Sequence, residues 1–246
     1  MHAPGSGRQH TNAPVTIVLP DQRHVAPGRL APLRFSKKQL QHQAQRREIL
    51  VPIRLDIDAD GYRLRDTFTW DLNNELIAPR QFAMCLCSDM ELPAESFVML
   101  IVQAIDEQLD DYARYAQAFD EDELRVVIRI DIIIGHIALR DQLEWDVAPL
   151  LRPLRVAHVL CAEKRLGGDF ETSIAHAIRE QLYAYAKSFL LADDMELART
   201  VLPPVTTVIR DTVHSQTFSP LIAHLHTVDA ERMEKDADRE IRRKRR

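Results

Sequence analysis

From Leu50 onward the chain alternates between two hydrophobic periods. Val51, Ile53, Leu55 and Ile57 alternate with Pro52, Arg54, Asp56 and Asp58, the period of two expected of a half-buried strand. Asp60-Gly61 supplies the positive φ angles of a tight hairpin turn. Leu64, Phe68 and Trp70 return on one parity, with Arg65, Thr67 and Thr69 on the other. Pro79 suits a first helical turn, where its missing N–H costs nothing. A closing helix carries Phe97, Ile101, Ile105, Leu109 and Tyr112 at helical spacing. The same order then recurs. Val126, Ile128, Ile130 and Ile132 lead to a turn near Gly135, then come Leu139, Leu143 and Trp145, Pro153, and a helix through Phe170, Ile174, Ile178, Leu182 and Tyr185.

The recurrence is a duplication. At an offset of 75, nine of the 19 positions from Ile53 to Asp71 are identical, where unrelated sequence gives roughly one. The shared residues include Arg54 and Arg129, the triplets Leu64-Arg65-Asp66 and Leu139-Arg140-Asp141, and Trp70 and Trp145. The offset falls to 74, pairing Cys87 with Cys161, and then to 73, pairing Glu107-Gln108 with Glu180-Gln181. These patterns predict an α+β protein of two tandem ββαα repeats, each an antiparallel hairpin packed on two helices, because a hairpin alone is marginal in water.

Around the repeats the predicted organisation is as follows. Residues 1–48 form a flexible or partner-ordered segment, with a short strand at Ala13–Leu19 and a solvated basic run (Arg34, Lys37, Lys38, Arg46, Arg47). Repeat 1 spans 49–112, an acidic linker that lets the domains move independently spans 113–123, and repeat 2 spans 124–186. Residues 187–228 are an extension. In it the helix continues or restarts through Lys187 to Val201, Val205–Ile209 forms a strand, and Thr212–Pro220 is loop. Residues 229–246 read as an exposed, basic C-terminal helix. Arg232, Lys235, Arg239, Arg242 and Arg246 share one stripe, and Glu231–Lys235, Asp238–Arg242 and Glu240–Lys244 are i,i+4 pairs of favourable sense.

Charge sharpens the picture. The net charge is −5, yet the last five residues carry +5, so the body before them is at −10. Such a body disfavours DNA binding over its whole surface. The terminal cluster reads as a nuclear import signal, a phosphate contact or a docking element for an acidic surface. No apolar run approaches the roughly 20 residues of a membrane span, and the N-terminus has no hydrophobic signal core. Three cysteines, Cys85, Cys87 and Cys161, sit at helical core positions and imply a reducing compartment rather than a disulfide framework.

Catalytic machinery is missing from the pattern. Seven glycines provide no phosphate loop, and His214, His224 and His226 lack a zinc-spaced partner set. Asp66 and Asp141 fall on the apolar parity of their strands; they read as structural carboxylates bonded to backbone or to Arg65 and Arg140. A hydrogen-bonded carboxylate of depressed pKa there would argue against a hydrolase. No cofactor is called for. Val127 and Ile133 replace Pro52 and Asp58, so the second hairpin is apolar on both faces, for deeper burial or for a partner.

The runs Leu50–Asp56 (LVPIRLD), Leu64–Trp70 (LRDTFTW) and Gln142–Asp146 (QLEWD), together with the closing basic helix, resemble the sucrose-nonfermenting-five / integrase-interactor-one family over residues 50–246. Members are core subunits of SWI/SNF- and RSC-type chromatin remodellers. The resemblance implies a non-enzymatic nuclear subunit associated with the remodeller ATPase. Its repeats would dock on SWIRM-domain scaffold subunits. Its arginine helix would contact the histone acidic patch of the nucleosome through Lys235, Arg239, Arg242, Arg243, Arg245 and Arg246. Lys244 stands where family members can carry an apolar residue. A nucleic-acid-binding module using the tail on DNA phosphates is the alternative.

Overall fold

The computed structural model describes residues 34–115, 125–147, 152–191, 201–203, 209–226 and 232. Residues 35–246 belong to one compact unit; the other unit, Met1–Arg34, lies outside the described residues except for Arg34. The element order is α1 (Lys37–Ala44), β1 (Leu50–Ala59), β2 (Tyr62–Asp71), α2 (Pro79–Asp89), α3 (Ala94–Tyr115), β3 (Arg125–Ile134), β4 (Ile137–Asp146), α4 (Pro153–Lys164), α5 (Gly168–Leu191), α6 (Thr212–Thr217) and β5 (Leu221–His224). This is an α+β fold with two small antiparallel sheets.

Both hairpins form in the anticipated register: Ile53 faces Phe68 and Val51 faces Trp70, and Ile128 and Val126 likewise face Leu143 and Trp145. Asp60 and Gly61 both have positive φ, 48° and 81°, as a two-residue type I′ turn demands. Gly135 takes φ 58° at the second turn. Pro79 and Pro153 occupy first helical turns. Each repeat closes its own core. Ile53, Leu55, Leu64, Phe97, Ile101 and Ile105 are buried in the first, and Ile128, Ile130, Leu139, Phe170, Ile174 and Ile178 in the second. Cys87 and Cys161 are buried among them and Cys85 is half-buried, all on helices.

One glutamine locks each closing helix to its hairpin. The Gln108 amide accepts from Arg54 N (2.9 Å) and donates to Arg54 O (3.1 Å), so it meets the edge of β1 as a neighbouring strand would. Gln181 does the same for Arg129, at 2.9 and 2.7 Å.

The structure departs from the sequence reading in four places. The segment before Leu50 contains α1, capped by Ser36 and Gln39 through reciprocal bonds of 3.2 and 2.9 Å. Its Gln43 ties it to Asp71 and Asn73, each at 3.1 Å. Helix α3 runs to Tyr115, three residues into the expected linker. The stretch expected to be loop contains α6, whose N-cap Asp211 accepts from His214 N at 2.7 Å. Strand β5 was not anticipated. It pairs antiparallel with β4, Leu139 against Ile222, and gives the second sheet three strands, order β3-β4-β5. Four residues are too short to show a period, and their pairing partner lies some 80 positions earlier. The expected strand at Ala13–Leu19, the linker beyond Tyr115, most of Val205–Ile209 and, apart from Arg232, the C-terminal basic helix lie outside the described residues.

Candidate functional site: the junction of the repeats

Helix α5 reaches beyond its own hairpin to pack on β1, β2 and α3 of repeat 1. The composition of the acidic linker suggested domains that move independently, but the two repeats pack on one another through α5. Ala175 and His176 are buried on α5, where the aligned positions of α3, Val102 and Gln103, are half-buried and exposed. Ala175 joins the core of repeat 2, and His176 fills the contact with repeat 1.

The chemistry there is polar and satisfied. His176 is only 5 % exposed; its Nε2 lies 3.1 Å from Ile53 O, and since a carbonyl only accepts, that nitrogen carries the proton. Nδ1 of the same ring stands 3.5 Å from Glu180 Oε2. Arg54 closes on both Glu180 oxygens, Nε and Nη2 each at 2.8 Å, a bidentate fork. Burial works to raise the Glu180 pKa, but the His176 and Arg54 bonds and charges outweigh it and hold the carboxyl at about 2.

Further along α5, Lys187 Nζ and the Tyr183 hydroxyl both donate to Asp111 Oδ2 at 2.6 Å. Those two bonds lower the Asp111 pKa. Tyr183 also stacks on Tyr112, ring centroids 5.1 Å apart. A cleft of about 180 Å³ remains among Pro52, Gln108, Asp111, Tyr112 and Tyr183, smaller than the few hundred Å³ usual for a small-molecule site. The junction is built to hold two domains in register.

The residues considered for chemistry lie elsewhere. Asp66 Oδ1 accepts from Thr67 N and Asp141 Oδ1 from Gln142 N, both at 2.8 Å, so the backbone reading of these carboxylates holds. Arg65 and Arg140 instead bridge to the opposite strand, to Asp56 (3.4 Å) and Asp131 (3.2 Å). The depressed pKa that would count against a hydrolase is not found at Asp141: burial raises it, against the Gln142 backbone bond and Lys164. His214 pairs with its own cap, Asp211, at 2.8 Å. Among the described residues no three His, Cys, Asp or Glu are grouped to hold a metal, and no helix is long and apolar enough to cross a membrane.

Lys235, Arg239, Arg242, Arg243, Arg245 and Arg246 lie outside the described residues. Sequence reading passed over His176, although one signal was present. Aligning the closing helices sets Ala175, His176, Arg179 and Tyr183 against Val102, Gln103, Asp106 and Asp110. A small residue and an aromatic thus replace a larger aliphatic and an acid along one face of α5.

The duplicated ββαα units, joined through a structural junction, coincide with a known family: the sequence profile described as SNF5 / SMARCB1 / INI1 matches residues 43–242. The chain belongs to this family. Its relatives include the SWI/SNF chromatin-remodeling complex subunit snf5 of Schizosaccharomyces pombe, 33 % identical over 290 aligned residues, covering 98 % of this chain and 46 % of the relative. The SWI/SNF chromatin-remodeling complex subunit SNF5 of Saccharomyces cerevisiae is 36 % identical over 222, covering 81 % and 24 %. The chromatin structure-remodeling complex subunit SFH1 of Yarrowia lipolytica is 28 % identical over 178, covering 71 % and 40 %. The chain thus spans less than half the length of each of these three relatives.

Proposed function

We propose that this chain is a non-enzymatic core subunit of a nuclear, ATP-dependent chromatin-remodelling complex of the SWI/SNF or RSC type. In this reading residues 49–112 and 124–186 are the repeats that dock on SWIRM-domain scaffold subunits. The segment 187–228 is an extension leading to an exposed basic helix, 229–246. Lys235, Arg239, Arg242, Arg243, Arg245 and Arg246 on that helix anchor the acidic patch of the nucleosome. The observation that supports it best is that the family match runs unbroken through both repeats and into the arginine run, to residue 242.

Physical chemistry supports the same assignment. Four of the last five residues are arginine, the side chain suited to bidentate grip on carboxylates. The remainder of the chain is acidic, which disfavours wrapping DNA and leaves the tail as the selective probe.

The test is nucleosome binding by the assembled complex, with and without residues 230–246, on wild-type and acidic-patch-mutant nucleosomes. Tail deletion and patch mutation should each weaken binding and should not add, because both remove one contact. Arg243→Ala with Arg246→Ala should weaken nucleosome engagement and leave assembly intact. A deletion effect equal on patch-mutant nucleosomes and on free DNA, with steep salt dependence, would make the tail a phosphate binder.

A further inference from the structure

The duplication sets one arginine at the same place on each hairpin, Arg54 on β1 and Arg129 on β3. Their main chains are held alike, each gripped at N–H and C=O by the glutamine of its closing helix. The side chains differ. Both are exposed, but Arg54 takes both oxygens of Glu180, whereas Arg129 makes no ion pair among the described residues. Glu107, the counterpart of Glu180, is exposed on α3 and bonded to Gln103 of its own helix. The repeats are therefore joined head-to-tail. Repeat 1 gives its hairpin face and repeat 2 its helix; on the hairpin of repeat 2, Leu202, Pro203 and Arg210 meet the Arg125–Glu144 end, and among the described residues no helix lies over the remainder as α5 does in repeat 1.

That leftover face is more apolar than its occupied counterpart. Val127 is half-buried where Pro52 is buried by the junction, and Ile133 is 37 % exposed where repeat 1 has Asp58. Deeper burial against the rest of the chain, one of the two roles the sequence suggested for Ile133, is not what the fold does with it.

We propose that the hairpin face around Arg129 docks a helix of a partner protein that offers a carboxylate to Arg129 and aliphatic side chains to Val127 and Ile133. The proposal rests on the reading that the repeats bind scaffold subunits, and it names the surface and the chemistry that repeat 2 would use. A helix is the fitting occupant because α5 lies on the matching face of repeat 1 with the same carboxylate–arginine contact. Strand addition is less suited, since Gln181 meets the β3 edge at Arg129 and β5 takes the edge of β4. On the same face Asp131 is paired with Arg140, and Glu144 with Arg125 and Arg210, which leaves Arg129 there as a cation with no ion-pair partner among the described residues.

The experiment uses the full chain in its assembled complex, with a photo-cross-linking residue at position 129 and, separately, Arg129→Glu and Ile133→Ser. The wild-type chain should retain its scaffold subunits through a salt wash, and Arg129→Glu should cut that retention about tenfold or more. Ile133→Ser should have a smaller effect in the same direction. The cross-link should fall on a partner helix within one turn of a carboxylate, and reversing that carboxylate to Arg should rescue Arg129→Glu. Undiminished retention by Arg129→Glu, or a cross-link to DNA or to a second copy, would overturn the proposal while leaving scaffold binding by the repeats standing. A wild-type chain that retains no scaffold subunit would overturn both. Circular dichroism melting of the variants checks that they fold.

Discussion

Nε2 of His176 donates to the carbonyl oxygen of Ile53 at 3.1 Å, joining the long helix of repeat 2 to the first strand of repeat 1. The contact is buried and spans 123 positions of sequence. His176→Leu should strand the neighbouring polar groups and cost about 1–3 kcal/mol, read by urea unfolding of the full chain. An unchanged midpoint would show that the junction adds nothing to stability.

Glu180 makes the same junction sensitive to acid. Its folded pKa, about 2, lies below the ordinary 4.5, so its contribution is fully present above the unfolded value and is lost as pH falls through the folded one. The window is therefore pH 4.5 down to 2, and the size is on the order of 3 kcal/mol at most. Glu180→Gln should be less stable than wild type at neutral pH, with the gap closing as pH falls through that window. A gap that stayed constant with pH would mean the carboxylate's charge is not what stabilises the contact.

The two glutamine locks predict matched effects in the two repeats. Gln108→Leu and Gln181→Leu each leave a backbone N–H and C=O without their amide partner, at a cost of about 1–3 kcal/mol. Amide hydrogen exchange should quicken at Arg54 in the first variant and at Arg129 in the second. Exchange that stayed slow at both would mean that the helices, and not these side chains, protect the strand edges.

Asp141 separates a structural role from a catalytic one. Burial raises its pKa, so near pH 7 the charged form opposes folding, and Asp141→Asn should be neutral or slightly stabilising there. Asparagine keeps an oxygen for Gln142 N–H, whereas Asp141→Ala removes it and should cost about 1 kcal/mol or more. Urea titration near pH 7 and recovery of the assembled complex are the readouts. Loss of function in a stable Asp141→Asn protein would reopen the catalytic reading.

A core truncation should cost as much as these or more. Ile53 and Ile128 occupy equivalent, fully buried positions, and Ile→Ala at either should cost about 2–5 kcal/mol. Equal losses at the two sites, by thermal or urea melting, are expected of repeats whose cores are equally well packed.

The sequence by itself determined what is local. Two copies of one strand–strand–helix–helix pattern, the Asp60-Gly61 turn, the proline-started helices and the core residues of each repeat follow from side-chain period and turn chemistry. Those signals act over a few residues, so they survive being read one window at a time. The tertiary structure alone decided what depends on placement. It buried His176 and left Gln103 exposed, gave Arg54 a carboxylate and Arg129 none among the described residues, and brought β5 to β4. Two arginines at equivalent positions of two duplicated hairpins cannot be told apart by local pattern. Only the head-to-tail packing of the repeats, fixed by the second face of α5, sets a carboxylate against one of them and not the other among the described residues.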